Sequence, residues 1–340
     1  MISVIKSDYK NFEVILVDNK STDSSIHMVD EDFPNNQFKI IYNNKNLGFA
    51  EGNNVGVRVA KGKYVVFLNN DTEVDRGWLN ELVGVMEMDE TIGAAQSKLL
   101  LFDRKTIDST GDFINFVGKG WLRGYGEVDR GQYDHQKEIF SARGACMIIR
   151  KKLFLKVDGF DSDFFMGTED IDLCWRVRLN GYKVVFVPKS IVYHFGSGTR
   201  KEFERTDESY CYNIRNSLFM LIKNLDLKNS FVSVSESIAI ELVLFLASLP
   251  FPSTKTYNLS RLKALFWSLM NFRCIWVKRL KVQNLMRKVS DDQTMKMMIK
   301  SNLPIFEIIW RLLYKNKIDY NYFLNGIVVL KNKWLLKILE

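Results

Sequence analysis

Three short apolar runs, at 13–18 (Glu-Val-Ile-Leu-Val-Asp), 39–42 and 64–68, each end in polar residues. Runs of this length without polar alternation read as strands covered on both faces. The stretches between them, about 24–31 after a Ser/Thr/Asp start and 49–60, carry helix signals. Strand, helix, strand, helix, strand implies an α/β fold with a mostly parallel sheet flanked by helices. In open sheets of this kind the ligand sits beyond the carboxyl ends of the strands. Two of those ends carry Asp18-Asn19 and Asn69-Asn70-Asp71, so a nucleotide site is expected there.

Further along, 94–101 reads as a strand opening a long Gly- and charge-rich excursion to about 140. A strand at 145–149, a helix at 171–179 and short strands at 183–187 and 191–194 follow. After about 206 the pattern turns helical, with frequent Lys/Arg. The domain change is placed near 200–225, giving a nucleotide-binding unit at 1–210 and a helical, basic, aromatic-rich region at 211–340. Residues 251–340 hold 17 Lys/Arg against 5 Asp/Glu, which from a whole-chain charge of +8 leaves −4 for 1–250. An acidic front suits a metal-using site, and a basic tail suits phosphate or an anionic surface rather than nucleic acid. A solvated helical face is the plainer reading of the tail.

With 46% apolar and 13% aromatic residues, the chain can pack a core, which excludes global disorder. Its four cysteines stand singly, giving neither a zinc knuckle nor a disulfide framework, and a reducing cytosol suits them. No signal peptide is read at the start. The longest apolar stretch, 237–251, is interrupted by Glu241 and falls short of the ~20 residues of a membrane span, so a buried or interfacial helix is expected.

Four constellations could carry chemistry. Asp18 and Asn19, followed by Ser21, Thr22 and Asp23, could hold a base edge or ribose at a helix start; a plain turn capped by Ser21 or Asp23 is the simpler reading of the segment alone. Asp71, closing Asn69-Asn70-Asp71, is a hard oxygen ligand for Mg²⁺ or Mn²⁺ bearing a diphosphate, although Asn-Asp pairs also form ordinary turns. Glu169, Asp170 and Asp172 crowd a helix start, where a base could take a proton from an acceptor hydroxyl. Capping is the alternative for Glu169 and Asp172. His194, at a strand end before a Gly/Ser loop, suits a metal ligand or a hydrogen-bond donor to phosphate, and a satisfied structural histidine is the plainer reading. His27 and His135 read as surface residues.

Taken in order, the segments resemble glycosyltransferase family 2, in its rhamnosyltransferase-like branch. The text that carries this is Asn11 to Asn19, Ser21-Thr22-Asp23, Asn44 to Ala50 with Asn53-Asn54, and Gly62-Lys63-Tyr64 leading to Asp71. It continues with Gly144 to Met147 and Arg150, Gly159-Phe160-Asp161, Phe164-Phe165, Glu169 to Leu173, Gly181-Tyr182, and Pro188 with His194. The resemblance implies a GT-A (Rossmann-like) fold, a nucleotide-diphosphate sugar donor, a divalent metal and inversion at the anomeric carbon. Carried over by position, Asp18 binds the base, with Asn19, Asp23, Asn46, Asn54, Asn69, Asn70, Arg143 and Gly144 lining the donor. Asp71 and His194 hold the metal, Asp170 is the general base and Glu169 orients the acceptor.

Two departures stand out. The family's opening strand has no counterpart, and 3–9 matches the end of the helix after it, so roughly 25–30 residues of a strand-plus-helix unit are expected to be missing. Asn69 stands where many relatives have Asp, leaving one carboxylate for the metal. The processive Gln-x-x-Arg-Trp pattern is absent, which favours single-sugar addition. Aromatics in the tail (Trp267, Phe272, Trp276, Trp310, Tyr314, Trp334) beside Lys/Arg suit an anionic membrane surface at the inner face of the cell membrane. Lipid-linked glycan acceptors in the family agree with that; packing on the core or a homodimer is the alternative. The functional reading is a transferase. An inactive nucleotide-sugar-binding scaffold is the second reading, and a sugar nucleotidyltransferase the third.

Overall fold

The sequence alternation is realised as a mixed sheet between two apolar layers. The structure, a computed structural model, describes residues 1–26, 29, 38–195, 207–250 and 255–299. Most of the helix expected at 24–31, His27, the loop after His194, and Trp310, Tyr314 and Trp334 lie outside these residues. In chain order the first elements are α1 (Ile2–Ile5), β1 (Val14–Asp18), β2 (Phe38–Tyr42), α2 (Gly48–Val59), β3 (Tyr64–Leu68), β4 (Thr72–Val74), α3 (Trp78–Met88) and β5 (Ile92–Leu101). Then come β6 (Ile107–Ser109), β7 (Asp112–Ile114), β8 (Gly120–Leu122), β9 (Lys137–Glu138), β10 (Cys146–Arg150), α4 (Lys151–Lys156), α5 (Glu169–Leu179) and β11 (Lys183–His194). The helical part comprises α6 (Asp207–Asn224), α7 (Leu227–Ser248), α8 (Lys255–Met270), α9 (Phe272–Lys281) and α10 (Asp291–Met295).

The main sheet runs β3-β10-β5-β11-β4, with β6 on β5 and β9 on β11. β5 and β11 are parallel, but β10 opposes both β3 and β5, and β4 opposes β11. The sheet is therefore mixed rather than mostly parallel. β10 follows a long excursion instead of a crossover helix, so nothing obliges it to re-enter in the same sense. The two short strands expected at 183–194 are one strand whose register shifts between Val187 and Ile191. Pro188 lies in that interval, where a ladder donor is missing. β1 and β2 form a separate parallel pair, with no pairing to β3 among the described residues.

Period-two side-chain alternation divides the core. Met147, Ile149, Val184 and Phe186 point into one layer with α5, while Ile148, Val185, Val187 and Val192 point into the other. That second layer is filled by Trp78, Leu79, Leu82 and Met86 of α3. The first also takes Phe219, Met220 and Leu221 of α6, so the helical region enters the same core, and the 210/211 division falls inside α6.

α5 is buried almost all round, charges included. Asp172 accepts from Arg176 at 2.7 Å, from Lys223 at 3.0 Å and from Asn224 at 2.9 Å. Lys223 also reaches Asp161 at 2.6 Å. Burial alone would raise the Asp172 carboxyl, but Arg176 and Lys223 outweigh it and lower it. This network fastens α5 to α6. Asp172→Ala would leave buried Arg176 without a carboxylate and Lys223 with Asp161 alone, and is expected to cost about 3–5 kcal/mol, read as a lowered denaturant midpoint.

Candidate functional site

The antiparallel register of β4 on β11 sets His194 opposite Thr72, next to Asp71. His194 Nε2 lies 3.3 Å from Asp71 Oδ1, and its Nδ1 lies 2.9 Å from Asp108 Oδ2. Arg143 Nη1 donates to that same Asp108 oxygen at 3.0 Å. The row Asp71, His194, Asp108, Arg143 thus joins residues from four separate stretches. His194, Asp108 and Arg143 are buried, whereas Asp71 keeps a partly open side chain. Burial disfavours the His194 imidazolium, yet Asp108 and Asp71 outweigh it and raise its pKa. Burial likewise opposes the Asp71 carboxylate, while the hydrogen bond and charge of His194 lower its pKa overall.

A carboxylate and an imidazole meeting at a partly open position are a donor set that fits a borderline divalent cation. Asp108 at Nδ1 is the outer partner that such a histidine carries, and it turns Nε2 toward Asp71. The described residues contain no group of three or more ligating side chains. Diphosphate oxygens and water would therefore complete any such coordination.

Asp170 opens α5 after a loop in which Phe165, Gly167 and Thr168 have φ of 55°, 87° and 67°. Left-handed backbone at two non-glycine residues is strained and needs outside support. Asn216 of α6 supplies it, its amide nitrogen donating to the carbonyls of Phe164, Met166 and Gly167 at 3.2, 3.1 and 2.7 Å. The Asp170 carboxylate accepts from Gly144 N–H at 3.0 Å and Ile171 N–H at 2.8 Å. The next carbonyl, Ala145, accepts from Asn69 N–H at 3.1 Å. Two adjacent residues therefore tie Asp170 to the end of β3 that leads into Asp71. Gly144 packs closely on Phe49, since a Cβ there would stand 2.7 Å from Phe49 Cζ and push the ring aside.

Glu169 is buried beside Asp170, and its Oε2 has no hydrogen-bond partner among the described residues. Burial, then the Asp170 charge, raises its pKa to about 8. It is therefore a neutral acid at pH 7, able to donate. Between its unfolded pKa of about 4.3 and about 8, the folded state binds the extra proton, so stability falls as pH rises. Glu169→Gln is expected to flatten that slope in unfolding measured from pH 5 to 8.

The donor-side expectations are placed as follows. Asp18 accepts from Ser21 N–H at 2.9 Å, and Asp23 binds Ser25 in a fully exposed turn. The Asn19 amide donates to Gly48 O at 3.0 Å and accepts from Asn43 at 2.8 Å, tying the β1–β2 ends to α2. Asn46 accepts from Gly48 N–H at 2.9 Å. Asn54 clamps the Phe160 backbone at 2.8 and 3.0 Å, tying α2 to the segment before Asp161. None of these bonds reaches Asp71, His194 or Asp170. Asn69 is partly buried and Asn70 exposed. Sequence reasoning missed Asp108 and Asn216. Buried Asp112, whose pKa burial pushes up to about 7, was missed as well.

Residues 2–157 match the model of glycosyl transferase family 2, and residues 129–197 match that of the N-terminal domain of galactosyltransferase. The chain is 30% identical over 200 residues to the O-antigen biosynthesis protein RfbC of Myxococcus xanthus, covering 57% of this chain and 16% of that protein. It is 24% identical over 186 residues to the poly-beta-1,6-N-acetyl-D-glucosamine synthase of Staphylococcus aureus, covering 55% and 43%. The solved structure of GalNAc-T7 with UDP, GalNAc and Mn²⁺ superposes with a TM-score of 0.54 at 16% identity, covering 85% of this chain and 55% of that one. At such identity the likeness shows the fold alone, which is GT-A. The chain spans less than half the length of these two curated relatives.

Proposed function

We propose that this chain, whose residues 2–157 match the model of glycosyl transferase family 2, moves a sugar from a nucleotide-diphosphate donor to a glycan or lipid-linked glycan acceptor, with inversion. The observation that carries the reading is the pinned Asp170 carboxylate, tied through Gly144 and Ala145 to the strand end that leads to Asp71 and His194. Asp170 takes the proton of the acceptor hydroxyl as its oxygen bonds to the anomeric carbon and the bond to the diphosphate breaks. Neutral Glu169 donates to the acceptor and orients it. Asp71 and His194 would hold a divalent cation, Mn²⁺ or Mg²⁺, which would supply positive charge for the leaving diphosphate. Asp108 and Arg143 keep the imidazole turned toward Asp71. Asp18 takes the base, and the sugar is rhamnose or a similar hexose.

The test is to incubate the chain with dTDP-, UDP- and GDP-sugars and Mn²⁺ and to assay the nucleoside diphosphate released. The reading expects release from one donor class, abolished by EDTA and restored by Mn²⁺. Saturable binding without release from any donor would favour an inactive nucleotide-sugar-binding protein. The separate β1–β2 pair, which carries Asp18, is the observation behind that second reading.

A further inference from the structure

The helices after the α/β core are inside out. On α7 the buried positions are Ser230, Ser233, Ser237, Ile240, Glu241 and Ser248, and on α8 they are Asn258, Ser260, Arg261, Ala264 and Ser268. These polar side chains satisfy one another: Glu241 pairs with Arg261 at 3.3 Å and with Lys119 at 2.8 Å, and Asn258 meets Ser248 at 2.7 Å. Many of the outward positions are apolar. Leu242 and Leu246 line α7 and Leu249 follows its end, while Leu262, Phe266 and Leu269 line α8, with Leu246, Phe266 and Leu269 exposed by 63%, 64% and 72%. An amphipathic helix on a water-soluble core shows the reverse pattern, so an apolar medium outside is what this arrangement suits.

The depth of contact follows from two further facts. α7 is long and apolar enough to cross a bilayer, which the 237–251 stretch alone did not indicate, and most of its apolar stretch is not buried. However, Ser233 bonds to Phe116 O and Glu241 to Lys119, so α7 lies along the α/β domain instead of leaving it. Glu236 is also exposed partway along the helix. A helix held flat in this way can enter only the interfacial layer, with one face down.

Charge selects the kind of surface. From Leu242 to Ser290 the sequence has nine Lys/Arg and no Asp or Glu. Exposed Lys255 and Lys263 lie on α8 itself, and exposed Arg273 stands at the start of α9. Basic groups beside an apolar helix face match anionic headgroups over acyl chains. The geometry points to the outer faces of α7 and α8 as a docking surface for an anionic lipid bilayer, holding the protein peripherally at the membrane. α6 packs against both helices and carries Asn216 to the loop before Asp170, so the lipid surface lies near the base.

Docking of this kind does not rest on the transfer reaction, because it is read without turnover. The full chain is mixed with phosphatidylcholine vesicles, with and without phosphatidylglycerol, and binding is followed by flotation. Binding to the phosphatidylglycerol vesicles, weakened by salt, is expected. Leu246→Glu with Phe266→Glu should reduce it at least roughly tenfold, and Lys255→Gln with Lys263→Gln should remove the preference for phosphatidylglycerol. Both double variants should keep the wild-type melting temperature, since these side chains are exposed. No binding to either vesicle, or binding unaffected by Leu246→Glu with Phe266→Glu, overturns the proposal. A lowered melting temperature in that variant would show that the chain covers this face itself. A dimer in light scattering that the variant dissolves would assign the face to a second copy; either result also overturns it.

Discussion

Asp170→Asn is expected to lower sugar transfer by roughly 10²- to 10⁴-fold while leaving donor affinity nearly unchanged. Both carboxylate oxygens accept a backbone N–H, from Gly144 and from Ile171. An amide has one oxygen to offer and cannot take up the acceptor's proton. One of the two N–H groups therefore faces an NH₂, so a small stability loss should accompany the lost rate. Turnover, donor titration in Mn²⁺ and the melting temperature together separate these effects. Transfer near the wild-type rate would remove Asp170 from its role. A collapse in donor affinity would make its contribution structural.

Asp71→Ala should be nearly as severe. One carboxylate stands at the proposed cation site, because Asn69 supplies an amide in place of a second acid. Removing Asp71 leaves His194 still held by Asp108 at 2.9 Å, so the fold should persist. A cation at such a site is worth several kcal/mol of leaving-group stabilisation, a loss of about 10³-fold in rate. The diagnostic readout is the metal titration: wild-type activity should rise with Mn²⁺ and fall with EDTA, whereas the variant's residual rate should respond to neither. An unchanged Mn²⁺ response in the variant would place the cation elsewhere.

How far the site could be read in advance depended on locality. Val14–Asp18 and Tyr64–Leu68 form strands as their apolar runs required, and Glu169–Leu179 forms a helix from its acidic start. The mixed sheet was not legible, because strand sense depends on how β10 returns from a long excursion rather than on any residue within it. Asp108 was missed since it lies in a stretch without clear periodicity, and its meaning arises only when β11 brings His194 beside it. Asn216 was hidden in an ordinary helical pattern; no sequence signal marks an amide that supports three carbonyls of a distant strained loop. For Asp172 the sequence left capping as an alternative to chemistry, and burial among Arg176, Lys223 and Asn224 gives it a fastening role instead. The inside-out helices were foreshadowed by composition, in the basic tail, but only the structure separates outward Leu246 and Phe266 from inward Glu241 and Arg261.

If Asp170 is the one base and no side chain attacks the sugar, transfer is a single displacement. The anomeric configuration of the first product, read by proton NMR of wild-type transfer from an α-linked nucleotide sugar, reports this directly. A β-linked product is predicted, because the acceptor oxygen enters opposite the departing diphosphate. An α-linked product would contradict a single displacement and with it the role given to Asp170.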